Sequence, residues 1–172
     1  MFSPVGTSEV GHDIGPLLIR EADLEDAALL LSIIHSAFQE YVGRIDPPTS
    51  APDDTLDKIH ANLDHGRALV AVIDQHPIGC VFYQRMTDHL YLYRLAVLPK
   101  CRRHGVARKL IADVESIAFE LGLPVRLGVR VALPSNRAYY ERMGYRVVEE
   151  RTHPGYSSPT WVMLEKDFDR HA

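Results

Sequence analysis

An apolar, strand-like run from Leu90 to Leu98 stops at Pro99, passes through a short basic turn and Gly105, and continues as a helical pattern. Val106, Ala107, Leu110, Ile111, Val114, Ile117, Ala118 and Leu121 recur at the spacing of one apolar helix face. A strand that feeds a helix through so tight a turn directs the chain towards mixed α/β layers. It also gathers backbone N–H groups at the positive end of the helix, which is a seat for an anion such as a pyrophosphate. Gly105 has no Cβ, so the backbone there can curl towards a ligand.

Charge reinforces this reading. No acidic residue lies between Asp88 and Asp113, whereas Arg94, Lys100, Arg102, Arg103, Arg108 and Lys109 all do, in a chain of net charge -4. Such an island is either a solvated helix start or the contact for a polyanion, and its place between strand and helix favours the polyanion. The P-loop pattern Gly-x-x-x-x-Gly-Lys-Ser/Thr and the dinucleotide pattern Gly-x-Gly-x-x-Gly are both absent.

The 172 residues, 46% of them hydrophobic, suffice for one well-packed domain. No run reaches membrane-spanning length and no signal peptide is evident, so a cytoplasmic protein without a membrane partner is expected. Cys80 in an apolar run and Cys101 in the basic turn read as reduced thiols. Cationic neighbours would activate Cys101 as a nucleophile, but no His/Asp partner set accompanies it. A pI near 6.1 argues against a nucleic-acid partner.

Residues 1–16, rich in Gly, Ser and Pro, read as a flexible tail. A strand over Leu17–Arg20 precedes a long helix capped by Asp23, a proline-rich loop over 42–54 and a shorter helix stopped by Gly66. Strands follow over Ala68–Ile73, Ile78–Arg85 and His89–Leu98, the first two joined by an Asp-Gln-His-Pro hairpin turn. After the glycine-turn helix come a strand over Val125–Val131, a helix over Pro134–Met143, and a closing pair over Tyr145–Arg151 and Thr160–Leu164. The order β-α-α-β-β-β-α-β-α-β-β predicts an α/β fold with a central mixed sheet flanked by helices.

Arg102-x-x-Gly105-x-Ala107 resembles Arg/Gln-x-x-Gly-x-Gly/Ala, the acetyl-CoA motif of the GNAT superfamily of N-acetyltransferases. The flanking Leu95-Ala96-Val97-x-Pro99 and Leu110 sharpen the likeness. Tyr140-x-x-x-Gly144-Tyr145 is similar to the family's C-terminal signature. On residues alone, Tyr139, Tyr140 and Tyr145 read first as packing aromatics. The element order is also that of the GNAT fold, so the resemblance implies a single N-acetyltransferase domain over 17–168.

The resemblance further implies acetyl-CoA as cosubstrate, no metal, a primary-amine acceptor (small molecule or peptide) and direct attack without a covalent enzyme intermediate. Leu95, Ala96 and Val97 would offer main chain to the pantetheine and acetyl carbonyl. Arg102, Arg103, His104, Gly105, Val106 and Ala107 would hold the pyrophosphate. Tyr140 would protonate the departing thiolate, while Tyr139 would point elsewhere on its helix. The asparagine that many relatives carry seven residues before the tyrosine is Leu133 here, and Asn136 one turn later is the substitute contact. A homodimer is a family-level expectation.

The general base is missing from the pattern. Leu127-Gly128-Val129-Arg130 has glycine where some relatives carry glutamate, and Tyr91 falls where others carry one. Tyr91 and Tyr93 share a strand face, so Tyr91 either relays a proton through water or lines an aromatic pocket. His35 and His153 are further options, and Asp46 in the 42–54 loop could attract a cationic amine. Gly128 also motivates a non-catalytic acyl-CoA sensor, and a nucleotide-phosphate binder of other chemistry is a third reading.

Overall fold

A computed structural model describes residues 15–168; the tail expected over 1–16 lies outside them apart from Gly15 and Pro16. The elements are β1 (Leu17–Glu21), α1 (Ala27–Phe38), α2 (Leu56–His65), β2 (Arg67–Ile73), β3 (His76–Arg85), β4 (Leu90–Val97), α3 (Val106–Leu121), β5 (Val125–Arg130), α4 (Pro134–Arg142), β6 (Arg146–Arg151) and β7 (Trp161–Lys166). The strands form one sheet in the order β1-β2-β3-β4-β5-β7-β6. Every neighbouring pair is antiparallel except β4 and β5, which are parallel and joined by α3. The expected α/β order and its mixed sheet are therefore present.

Apolar residues cover both faces of β2, β3 and β4, which explains their nearly continuous hydrophobic runs. Leu110, Ile111 and Val114 of α3 pack with Val81, Leu92, Leu127 and Leu164 on one face. Leu30 and Ile34 of α1 and Ile59 of α2 pack with Val70, Cys80 and Phe82 on the other. Asp23 caps as expected, accepting from Glu25 and Asp26 N–H at 2.9 and 3.3 Å while Asp26 accepts from Asp23 N–H at 2.9 Å. The cap closes a short 3-10 turn over Leu24–Asp26 that runs straight into α1.

Most boundaries shift by a residue or two from the sequence expectation, and two of the shifts have a clear physical cause. Asp74 and Gln75 alone form the β2–β3 turn, both at positive φ, as in the two-residue hairpins whose twist matches the strands. β3 thus starts at His76, and Pro77 sits where the register shifts, a position that tolerates its missing N–H. Tyr145 precedes β6 and is buried, its hydroxyl donating to Glu115 Oε1 at 3.0 Å.

One irregularity positions the site. Phe82 pairs with Tyr93 and Cys80 with Ala96, so β4 holds one residue more than β3 across that interval. The surplus is a β-bulge with Arg94 at φ 50°, in the left-handed region.

Candidate active site

β4 and β5 pair at Leu90–Val125, Tyr91–Arg126 and Leu92–Leu127, and no further. Beyond these positions the strands diverge, leaving residues 93–97 and 128–130 facing a gap. The gap opens into a cleft of about 760 Å³. Leu98 N–H is spent on Ile78 O in β3 at 2.8 Å. Strand alternation then turns the N–H groups of Val97 and Leu95 towards the gap.

The N-terminus of α3 forms one end of the cleft. Gly105 is its N-cap at φ 77°, no side chain among the described residues caps the helix, and Lys109 N–H bonds Gly105 O at 3.0 Å. The amides of Val106, Ala107 and Arg108 precede that first intrahelical bond and are left for a ligand. A Cβ on Gly105 would meet only open space, so the positive φ is what favours glycine there.

The basic island resolves into distinct jobs. The Arg102 guanidinium donates to Glu40 at 2.7 Å and Ala37 O at 2.9 Å, tying the end of α1 to the loop. Arg94 donates to both oxygens of Asp54, at 2.7 and 3.1 Å, and to Ser50 at 3.0 Å. Lys109 pairs with Asp113 along α3. Arg103 and Arg108 line the cleft and have no carboxylate partner among the described residues.

α4 supplies the facing wall. Asn136 and Tyr140 stand one helical turn apart, and both line the cleft. Leu133, where relatives carry asparagine, contributes its carbonyl, which accepts from Asn136 and Arg137 N–H at 3.1 and 3.3 Å. Tyr139 lines the cleft too, its ring edge-on to Tyr140 at 5.4 Å. The expectation that it points elsewhere is thereby corrected: successive residues near a helix end both reach a cleft this wide. Burial pushes the Tyr140 phenol well above its ordinary value, and its hydroxyl has no protein hydrogen-bond partner among the described residues. Behind it, Tyr145 and Lys166 both donate to Glu115, at 3.0 and 2.8 Å, and pin the chain after α4 against α3.

At the other end, Tyr91 and Tyr93 stack at 5.7 Å between centroids. A Cβ on Gly128 would lie 3.2 Å from Trp161 Cε3 and 3.6 Å from the Tyr91 hydroxyl, so aromatic surface occupies the ground a longer side chain would need. Burial also raises Tyr91. His153 lines the cleft against Arg130, and burial together with that cation lowers its pKa. His35 instead bonds Asp54 O at 2.9 Å, away from the cleft lining. Asp46 accepts the Tyr156 hydroxyl, joining the 42–54 loop to the β6–β7 hairpin.

Of the residues expected to form the site, Tyr91, Leu95, Ala96, Val97, Arg102, Arg103, Gly105, Val106, Ala107, Asn136 and Tyr140 all line this cleft. His104 is exposed and outside the lining. Sequence reasoning passed over Arg130 and Trp161 as site residues. Strand alternation places Arg130 on the face of Gly128, and the chain's single tryptophan lies opposite it at the start of β7.

This fold is that of the acyl-CoA N-acyltransferases. Residues 30–145 match the acetyltransferase (GNAT) family, and the chain belongs to that family. It is thus an acetyltransferase that takes acetyl-CoA as its acyl donor, as the two motifs implied. Solved structures share the fold at low identity. The PaiA N-acetyltransferase of Thermoplasma acidophilum, in complex with coenzyme A, superposes with a TM-score of 0.76 at 18% identity, covering 89% of this chain and 99% of its own. The ribosomal-protein-S18-alanine N-acetyltransferase of Escherichia coli gives 0.72 at 15% identity, over 91% and 97%. The IAA acetyltransferase of Bacillus cereus gives 0.64 at 18%, over 89% and 100%. No curated protein matches significantly in sequence.

Proposed function

We propose that residues 17–168 form one cytoplasmic N-acetyltransferase domain in which this cleft carries out direct acetyl transfer to a primary amine. One observation carries the reading: a helix start without a side-chain cap among the described residues, a strand gap with outward-facing amides and a half-buried phenol share a single cleft. Acetyl-CoA fits these residues and supplies the activated thioester. The amides of Val106, Ala107 and Arg108, with Arg103 and Arg108 beside them, take the diphosphate. Val97 and Leu95 N–H groups hold the pantetheine and meet negative charge that develops on the carbonyl oxygen.

Tyr140 stabilises the departing sulfur. Its pKa lies above the ordinary phenol value of 10.0, whereas a thiol titrates near ~8.5. The phenol therefore donates a hydrogen bond to the thiolate, and outright proton transfer is uphill. For the amine, no side chain in the cleft among the described residues is a competent base: Glu40 is paired with Arg102, Tyr91 is raised, and the lowered His153 is engaged by Arg130 and Thr160. The acceptor loses its proton to solvent before attack; as the C–N bond forms and the C–S bond breaks, the second amine proton also passes to solvent and the thiolate departs against the Tyr140 hydroxyl, with Tyr91 lining the approach.

Calorimetry with CoA and an acetylation screen over amines test the proposal. CoA binding together with acetylated product supports it. Absence of CoA binding removes its basis, and binding without product on any amine returns the sensor reading that Gly128 suggested.

A further inference from the structure

We propose that Arg130 anchors a carboxylate on the acceptor, so that the amine acetylated is a free amino acid with an apolar or aromatic side chain. This deepens the N-acetyltransferase reading and rests on it.

The argument begins with the charges that line the cleft. Arg94 and Arg102 are closed by Asp54 and Glu40, and Arg103 and Arg108 stand at the α3 end proposed for the diphosphate. Arg130 lines the opposite side of the gap, beyond Gly128, and has no carboxylate partner among the described residues. Its contacts are to neutral acceptors: Pro48 O at 2.9 Å and the His153 ring at 3.0 and 3.4 Å. Other guanidinium N–H groups remain for a ligand. Burial and the nearby Arg94 both disfavour its charge, a cost that an arriving anion relieves.

The surroundings narrow the class. Among the described residues Glu40 is the only acidic one lining the cleft, and it is spent on Arg102, so none of them draws a polycation. Asp46, the expected attractor of a cationic amine, is held by the Tyr156 hydroxyl. Tyr91, Tyr93 and Trp161 provide the apolar wall beside Arg130. Along β5, Arg130 sits only about 7 Å beyond Gly128, which suits an amine and a carboxylate separated by few bonds.

The test compares L-phenylalanine, L-leucine and L-methionine with their C-terminal amides, following CoA thiol release in the wild type and in Arg130→Gln and Arg130→Lys. Trp161, the single tryptophan, reports acceptor binding to the CoA-loaded protein by fluorescence. At least one acid should exceed its amide in kcat/KM by about 10- to 100-fold, the range for a lost charge-assisted bond. R130Q should erase that preference through KM with kcat nearly kept, and R130K should restore part of it. Equal use of acids and amides, or no use of acids by protein that binds acetyl-CoA, overturns the proposal. So does an R130Q defect in stability alone with the acid preference intact, which makes Arg130 a tether for Pro48. Failure to bind acetyl-CoA refutes the underlying N-acetyltransferase reading instead.

Discussion

Asp54→Asn tests whether a buried ion cluster holds the bulge in β4. The Asp54 carboxylate is wholly inaccessible and takes Arg94 at 2.7 and 3.1 Å and Lys58 at 2.6 Å. Deleting one partner of a buried pair costs about 3–5 kcal/mol. Lys58 is half exposed and recovers water, and asparagine keeps one oxygen acceptor, so about 2–3 kcal/mol is expected here. In a domain of this size, with about 2–4 °C per kcal/mol, the melting temperature should fall by roughly 5–10 °C. Urea unfolding gives the free energy directly. Lys58→Met, which removes only the exposed partner, should cost less than about 1 kcal/mol. An Asp54→Asn protein that melts with the wild type, or a Lys58→Met loss as large, would refute the reasoning.

The same cluster predicts a pH dependence. Burial opposes ionisation of Asp54, but hydrogen bonds from Arg94 and Lys58 outweigh it and hold the folded pKa below its ordinary 3.8. A depressed carboxylate contributes fully above the unfolded value, so the stabilisation is complete above about pH 5 and is lost as pH falls through the folded value. Asp54→Asn should flatten the acid side of the urea-midpoint profile. Because Arg94 sits at φ 50°, its release should also lower kcat by loosening the β4 main chain beside the gap.

Tyr140→Phe should lower kcat by about 100-fold while calorimetric CoA affinity stays close to wild type. Gly105→Ala should cost about 1–2 kcal/mol of stability from its left-handed backbone alone, since its Cβ meets no atom, and Gly105→Asn should cost less. Steady-state kcat/KM should rise with pH along the acceptor amine's own ionisation, with no inflection at the ordinary histidine pKa and no loss from Tyr140 ionisation below pH 10.0.

Local patterns made much of this legible. The strand–turn–helix unit around Gly105 and the Tyr140–Tyr145 signature depend on spacing within a few residues, and both were readable before any coordinates. Asp23 and Gly66 mark their helix ends for the same reason. The bulge at Arg94 was not readable, because one surplus residue is defined only against the register of β3. Partners distant in sequence were hidden too: the Arg102–Glu40 and Arg94–Asp54 pairs join residues 62 and 40 positions apart. Arg130 and Trp161 emerged as site residues only when β5 met β7.

That last pairing accounts for a glycine at position 128. Trp161 of β7 is opposite Arg130, and its ring lies over Gly128, 3.2 and 3.3 Å from where a Cβ would stand. The Arg151 guanidinium lies 5.4 Å from the centre of the same ring. Gly128→Glu therefore does not simply restore a base. The new side chain must first push the indole aside by a few tenths of an ångström, disturbing the aromatic wall that bounds the acceptor. Its prediction is a changed Trp161 emission together with an unchanged or lower kcat/KM near neutral pH. A faster Gly128→Glu enzyme with wild-type tryptophan emission would show that the pocket had room for the carboxylate, and that aromatic packing is not what excludes it.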